Sequence, residues 1–191
     1  MQLADKITTA QQAIAFLQHG KIGVIPTDTV YGLAARAHDQ VAVARLYAAK
    51  HREHKPGTVI AASVEQLIEL GVDQTALEKV SHLWPNPLSA VLPASPATAY
   101  LHQDVPGIAV RVTADPQLRQ LILATGPLLT SSANLPGQPE SATIQQAWDY
   151  FGDTIDFYVD GGNLAGRLAS TIIKVDETGN ITVVRQGALS L

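Results

Sequence analysis

The chain has 191 residues, no cysteine, and 13 Lys and Arg against 17 Asp and Glu, for a formal charge of −4. With 46% apolar and 16% charged residues it is neither disordered nor low-complexity. The missing cysteines exclude a disulfide scaffold, a thiolate zinc site and a cysteine nucleophile, and the acidic balance excludes a protein that coats nucleic acid through net charge.

Residues Ala10, Ala13, Ile14 and Leu17 recur at helical spacing, with Thr8 and Thr9 each followed three residues on by Gln and with Gly20 beyond; a helix starts here. Residues 22–25 read as a strand stopped by Pro26, and 30–35 as a second extended piece. Gln40 to Lys50 carries Val43, Leu46 and Tyr47 at helical spacing and ends in a cation. Residues 58–62 read as a buried strand, 63–70 and 74–83 as helices, and 88–92 and 108–112 as strands. Asp115 is an N-cap candidate for a helix over 116–124, with Pro116 at its first position. Residues 128–131 are strand-like. Thr143 and Gln146 offer a capping box for a helix striped by Ile144, Trp148 and Phe151. Strands over 157–159 and 170–175 follow, and the turn 177–180 leads to a hairpin partner over 181–185. Helices and strands alternate irregularly, so the expected fold is α/β: an open mixed sheet with flanking helices, as a single domain over 1–191. Residues 1–10 hold Asp5 and Lys6 without an apolar run, so no signal peptide is expected. No apolar stretch reaches the length of a membrane span, and the cytoplasm is the expected compartment.

Phosphate-loop, dinucleotide, zinc-protease and nucleophile-elbow patterns are all missing from the sequence. His51 and His54 are three apart, but Arg52 and Lys55 beside them repel a cation, so no metal site is expected. Seven stretches carry chemistry. Pro26-Thr-Asp-Thr-Val-Tyr-Gly-Leu33 puts two hydroxyls, a carboxylate and a phenol after an apolar strand, where mixed sheets hold ligands; an ordinary strand-turn-strand with Asp28 bonded locally fits equally. Lys50-His-Arg-Glu-His-Lys55 concentrates cations suited to a polyanion, or simply forms a solvated charged loop. Arg111 inside Ile108-Ala-Val-Arg-Val112 needs a partner, either a structural carboxylate or an anionic ligand. Thr130-Ser-Ser-Ala-Asn134 supplies uncharged donors and acceptors that suit a phosphate or base edge, or a capped turn. Asp160-Gly-Gly162, Ser170-Thr171 and Arg185-Gln-Gly187 complete the set.

In this order and spacing, residues 26–33, 50–52, 84–88, 109–112, 132–134, 160–162, 170–172 and 185–187 resemble the YrdC-like threonylcarbamoyl-AMP synthase family, and the match runs from about residue 13 to 187. The length is similar to the short bacterial form. The resemblance implies an open twisted sheet with a concave, basic cavity. It implies condensation of L-threonine, bicarbonate and ATP to threonylcarbamoyl-adenylate with release of pyrophosphate, for modification of adenosine 37 in tRNA. Partner proteins would receive the product, and a direct contact with tRNA is compatible with such a face. Magnesium would accompany the triphosphate. By the same resemblance Lys50 and Arg52 are the catalytic, triphosphate-binding pair. Lys55, Ser132, Asn134, Ser141 and Arg185 join them at ATP, and Thr29, Arg111, Ser132 and Ser170 hold threonine. Two departures stand out: Glu53 where the family usually has proline, and Asn86 where glycine is usual. The competing expectation is a non-enzymatic RNA-binding module that uses the same basic face.

Overall fold

The structure, a computed structural model, describes residues 2–51, 55–176 and 180–190. Its strands are β1 (Ile7–Thr8), β2 (Gly23–Pro26), β3 (Tyr31–Arg36), β4 (Thr58–Ala61), β5 (Leu88–Pro93), β6 (Gly107–Val112), β7 (Leu128–Ser132), β8 (Phe157–Val159), β9 (Thr171–Val175) and β10 (Ile181–Arg185). Its helices are α1 (Ala10–Gln18), α2 (Gln40–Lys50), α3 (Val64–Glu69), α4 (Gln74–Val80), α5 (Ala99–His102), α6 (Pro116–Thr125) and α7 (Ile144–Phe151). The strands form one sheet in the order β1-β8-β2-β3-β7-β4-β6-β5-β9-β10, with β1 and β10 as free ends. Parallel pairs (β1 with β8, β8 with β2, β4 with β6, β5 with β9) mix with antiparallel ones, so the sheet is open and mixed as the alternation implied.

Local chemistry accounts for the helix starts. Thr9 and Thr143 close capping boxes with Gln12 and Gln146. The side chains of Asp39, Asp73 and Asp115 accept the N–H bonds of Ala42, Ala76 and Leu118. Helix α2 ends on His51, whose φ of 49° is left-handed, a conformation that costs a side chain unless it is glycine or a short polar residue. His51→Gly is therefore expected to keep or raise stability, and His51→Val to lower it by about 1–2 kcal/mol in urea titration.

Period-two alternation along each strand builds two faces. Val24, Leu33, Ala35, Val59, Val110 and Leu129 enter one large buried cluster, together with Val43 and Leu46 of α2 and Phe151 of α7. Their sequence neighbours Ile25, Ala34, Ile60 and Leu128 point the other way, into a smaller cluster with Ala13 and Leu17 of α1 and Leu118, Leu121 and Ile122 of α6. Helices α1 and α6 thus cover only one end of that second face. Farther along, the strands place Thr58, Ala109, Arg111 and Thr130 on it, beside the apolar Val91 and Ile172. In β6 the alternation is explicit, with Ile108, Val110 and Val112 in the core and Gly107, Ala109 and Arg111 on the uncovered face. No helix among the described residues is long and apolar enough to cross a membrane.

Candidate functional site

The uncovered face is the floor of a hollow of about 730 Å³. Four cations line it, Lys79, Arg111, Lys174 and Arg185, against two carboxylates, Glu140 and Asp176. This is a net basic cavity in an acidic chain.

Arg111 sits at the floor and is only 3% exposed. Its Nη2 donates to Asp28 Oδ1 at 2.8 Å, and its Nη1 lies 3.5 Å from Ser89 Oγ. Its Nε is buried with no partner. Burial pushes its pKa down, Asp28 pulls it back up, and the charge of Arg185 lowers it again. Guanidinium basicity is high enough that the group stays charged. Of the two alternatives left by the sequence, the structural carboxylate is present: Asp28 takes one edge of the guanidinium, and Nε has no partner.

Asp28 reaches Arg111 from the turn between β2 and β3. Thr27 fixes that turn: its hydroxyl donates to Val30 O at 2.6 Å, accepts from Thr29 N at 3.2 Å, and lies 3.0 Å from Thr29 Oγ1. Tyr31, the next residue but one, extends the scaffold. Its hydroxyl donates to Gly162 O at 2.8 Å and accepts from Gly161 N at 2.7 Å. Burial raises its pKa, the bond from Gly161 N–H opposes this, and the negative Asp160 adds to the rise. The phenol remains a donor and ties the first motif to Asp160-Gly-Gly162.

Ser170 is buried just before β9, and its hydroxyl lies 3.0 Å from that of Ser89. Arg185 donates from Nη2 to Ser170 O at 2.7 Å. The position of Arg185 depends on a β-bulge. Val183 pairs with Ile173, but Arg185 pairs with Ile172, so Val184 is an inserted residue. Strict alternation would turn Arg185 away from the hollow; the bulge puts it on the same face as Ile172. Gly187 completes the approach. A Cβ there would stand 2.2 Å from Ala169 O, so only glycine lets the last strand's exit lie against the backbone before Ser170.

A second group of residues lies behind the lip of the cavity. The Lys50 side chain runs from the last turn of α2 to the Ser132–Asn134 turn. Its Nζ donates to Ser132 O at 2.7 Å, to Asn134 Oδ1 at 2.6 Å and to Asn134 O. Asn134 Oδ1 also accepts from Ser132 Oγ at 2.7 Å, and Asn134 Nδ2 donates to Gln138 O at 2.6 Å. Ser141 is buried and its hydroxyl donates to Ala133 O. Of the residues named from the sequence, Thr29, Arg111, Ser132, Ser170 and Arg185 line the hollow together. Lys50, Asn134 and Ser141 instead hold the turn that carries Ser132. Lys55 is exposed and its backbone N–H donates to Gln103 Oε1, while its neighbours Pro56 and Gly57 reach the lining. Arg52, with Glu53 and His54, lies outside the described residues.

The family model Sua5/YciO/YrdC, which carries the description "Telomere recombination", matches residues 15–187. A threonylcarbamoyl-AMP synthase of Vibrio cholerae is 34% identical over 188 residues, covering 95% of this chain and 98% of its own. A putative threonylcarbamoyl-AMP synthase of Mycobacterium leprae is 34% identical over 184 residues, covering 94% and 83%. The chain belongs to the Sua5/YciO/YrdC family. A crystal structure of P. abyssi Sua5 complexed with L-threonine superposes with a TM-score of 0.81 at 32% identity, covering 93% of this chain and 54% of that one. This chain therefore spans about half the length of that Sua5.

Within this Sua5/YciO/YrdC chain the sequence left two contributors unassigned. Ser89 bridges Arg111 and Ser170 from the second position of the apolar strand β5. Its signal is a lone hydroxyl on the opposite face from Leu88, Ala90 and Leu92, which all enter the core. Asp28 was legible only as a turn carboxylate, because its partner is 83 residues away.

Proposed function

We propose that this chain is a threonylcarbamoyl-AMP synthase, with 1–191 as a single catalytic domain. The observation that carries the reading is the buried, partly unsatisfied Arg111 at the floor of a basic hollow, with the hydroxyls of Ser170 and Thr29 and the cation of Arg185 on its walls. Named relatives at 34% identity over nearly the whole chain support it.

In this reading the threonine carboxylate meets the free donors of Arg111, a charge-assisted contact. Thr29, Ser132 and Ser170 orient the amino acid through short hydroxyl contacts. The threonine amine adds to bicarbonate, water leaves, and a carbamate remains. A carbamate oxygen then attacks the α-phosphorus of ATP as the bond to pyrophosphate breaks. Both partners are anions. Arg185, with Arg52 assigned by resemblance, offsets their repulsion and the charge that collects on pyrophosphate, while Lys50 anchors the Ser132–Asn134 turn. Lys55, Asn134 and Ser141 act at the nucleotide end, the last two by shaping the turn that presents Ser132. No protein nucleophile is needed; positioning and fixed charge supply the rate. Magnesium accompanying the triphosphate would be held mainly by phosphate oxygens and water. The labile product would pass to transfer proteins that act on tRNA in the cytoplasm.

An RNA-binding module would stack bases on exposed rings. Tyr31 is the one aromatic residue among the described residues that line the hollow, and its hydroxyl is tied to Gly161 and Gly162. The deciding assay is pyrophosphate release by the purified chain with ATP, threonine and bicarbonate. Release should require all three; release that persists undiminished without threonine or bicarbonate overturns the assignment.

A further inference from the structure

A buried guanidinium that must receive a substrate carboxylate has two physical problems. Before the substrate arrives it has lost its water and lacks a counter-charge. Its long side chain must also be held in one orientation, or part of the binding free energy goes into ordering it. Asp28 answers both. It meets Arg111 Nη2 at 2.8 Å, with the carboxylate 11% and the guanidinium 4% exposed. It sits in a turn whose shape is set by the Thr27 hydroxyl, so the carboxylate is itself held in place. Thr27 and Thr29 line the hollow but Asp28 does not. It meets Arg111 from behind the lining, while Arg111 itself lines the hollow. Nε, without a partner, and Nη1, with only a 3.5 Å contact, are the donors left over. The same line of contacts continues from Nη1 through Ser89 Oγ to Ser170 Oγ.

We propose that Asp28 is a positioning residue for the amino-acid substrate: acting through Arg111, it fixes the guanidinium so that its unpaired donors meet the substrate carboxylate. The inference rests on the synthase reading and assigns that site a role for a residue that never touches the substrate. Asp28→Asn keeps an oxygen that accepts from Nη2 but removes the charge; Asp28→Ala removes both. The experiment is steady-state pyrophosphate release, with threonine and ATP titrated separately for the wild type and both variants, alongside melting temperatures. The threonine KM is expected to rise about tenfold in Asp28→Asn and about a hundredfold in Asp28→Ala, with the ATP KM within about twofold of wild type. A purely structural role would lower the melting temperature and the active fraction, and so kcat, without separating the two KM values. If Asp28→Ala melts below the assay temperature, the isosteric Asp28→Asn decides. A threonine KM within about twofold of wild type, or an ATP KM that rises in step with it, overturns the inference while leaving the synthase reading intact. A wild-type chain with no threonine-dependent release overturns that reading and this inference together.

Discussion

Arg111→Met is expected to lower kcat/KM for threonine by about three orders of magnitude while the protein stays folded. Methionine follows the aliphatic stem of arginine and leaves the core-facing Val110 and Val112 untouched, so β6 should keep its pairing with β4 and β5. What is lost is the charge at the floor. Asp28 is then left without its ion-pair partner, but at 11% side-chain exposure it keeps some access to water, which limits the damage to stability. The loss in catalysis has a direct physical source. A carboxylate brought into a hollow lined by Glu140 and Asp176, with Asp28 just behind its floor, meets repulsion unless the guanidinium is present. Saturating threonine should not restore the rate, because the amine would no longer be held against the nucleotide. The check is the same release assay with threonine varied over several decades, paired with thermal melting. A threonine KM within about threefold of wild type would remove Arg111 from the site.

The elements were legible because their signals are local. The capping boxes at Thr9 and Thr143, the Asp115-Pro116 start of α6 and the cation at the end of α2 each fix a boundary within a few residues. What escaped the sequence depends on distant partners. Strand β1 is two residues long and exists because Ile7 and Thr8 pair with Tyr158 and Val159. Helix α5 has four residues, too few for a periodic pattern, and is held by tertiary contacts such as the Tyr47 hydroxyl on Leu101 O. The site divides in the same way. Residue types and order pointed to Arg111, Ser132, Ser170 and Arg185, and alternation around the core residues of their strands places the first three on one face. That Arg185 joins them depends on the extra residue Val184, and a bulge leaves no mark in a run such as Ile181-Thr-Val-Val-Arg185. Nor could spacing show that the Lys50 ammonium turns to backbone oxygens of the 132–134 turn, since that requires the register of β7 against β3 and the end of α2 to be known together.

Lys50→Met should therefore reduce stability as well as activity. The ammonium is the common donor to Ser132 O, Asn134 O and Asn134 Oδ1, and the side chain is 3% exposed. Methionine fills the same volume but donates nothing, so these acceptors lose their partner where water reaches them poorly. Leaving buried acceptors unsatisfied costs about 1–3 kcal/mol each, and partial rehydration of the turn brings the expected total to about 3 kcal/mol. For a chain of this length that corresponds to a fall of about 6–12 °C in melting temperature. Asn134→Ala removes one acceptor of the set and should cost about 1 kcal/mol. The double variant should cost less than the sum, because the two side chains share one network. Turnover should drop in both, since the turn that presents Ser132 to the hollow has lost its anchor. A lysine whose only task is to meet the triphosphate behaves differently: its loss raises the ATP KM, leaves the melting temperature near wild type and shows no coupling to Asn134. Melting curves for the two single variants and the double variant, with ATP titrations on each, separate these outcomes.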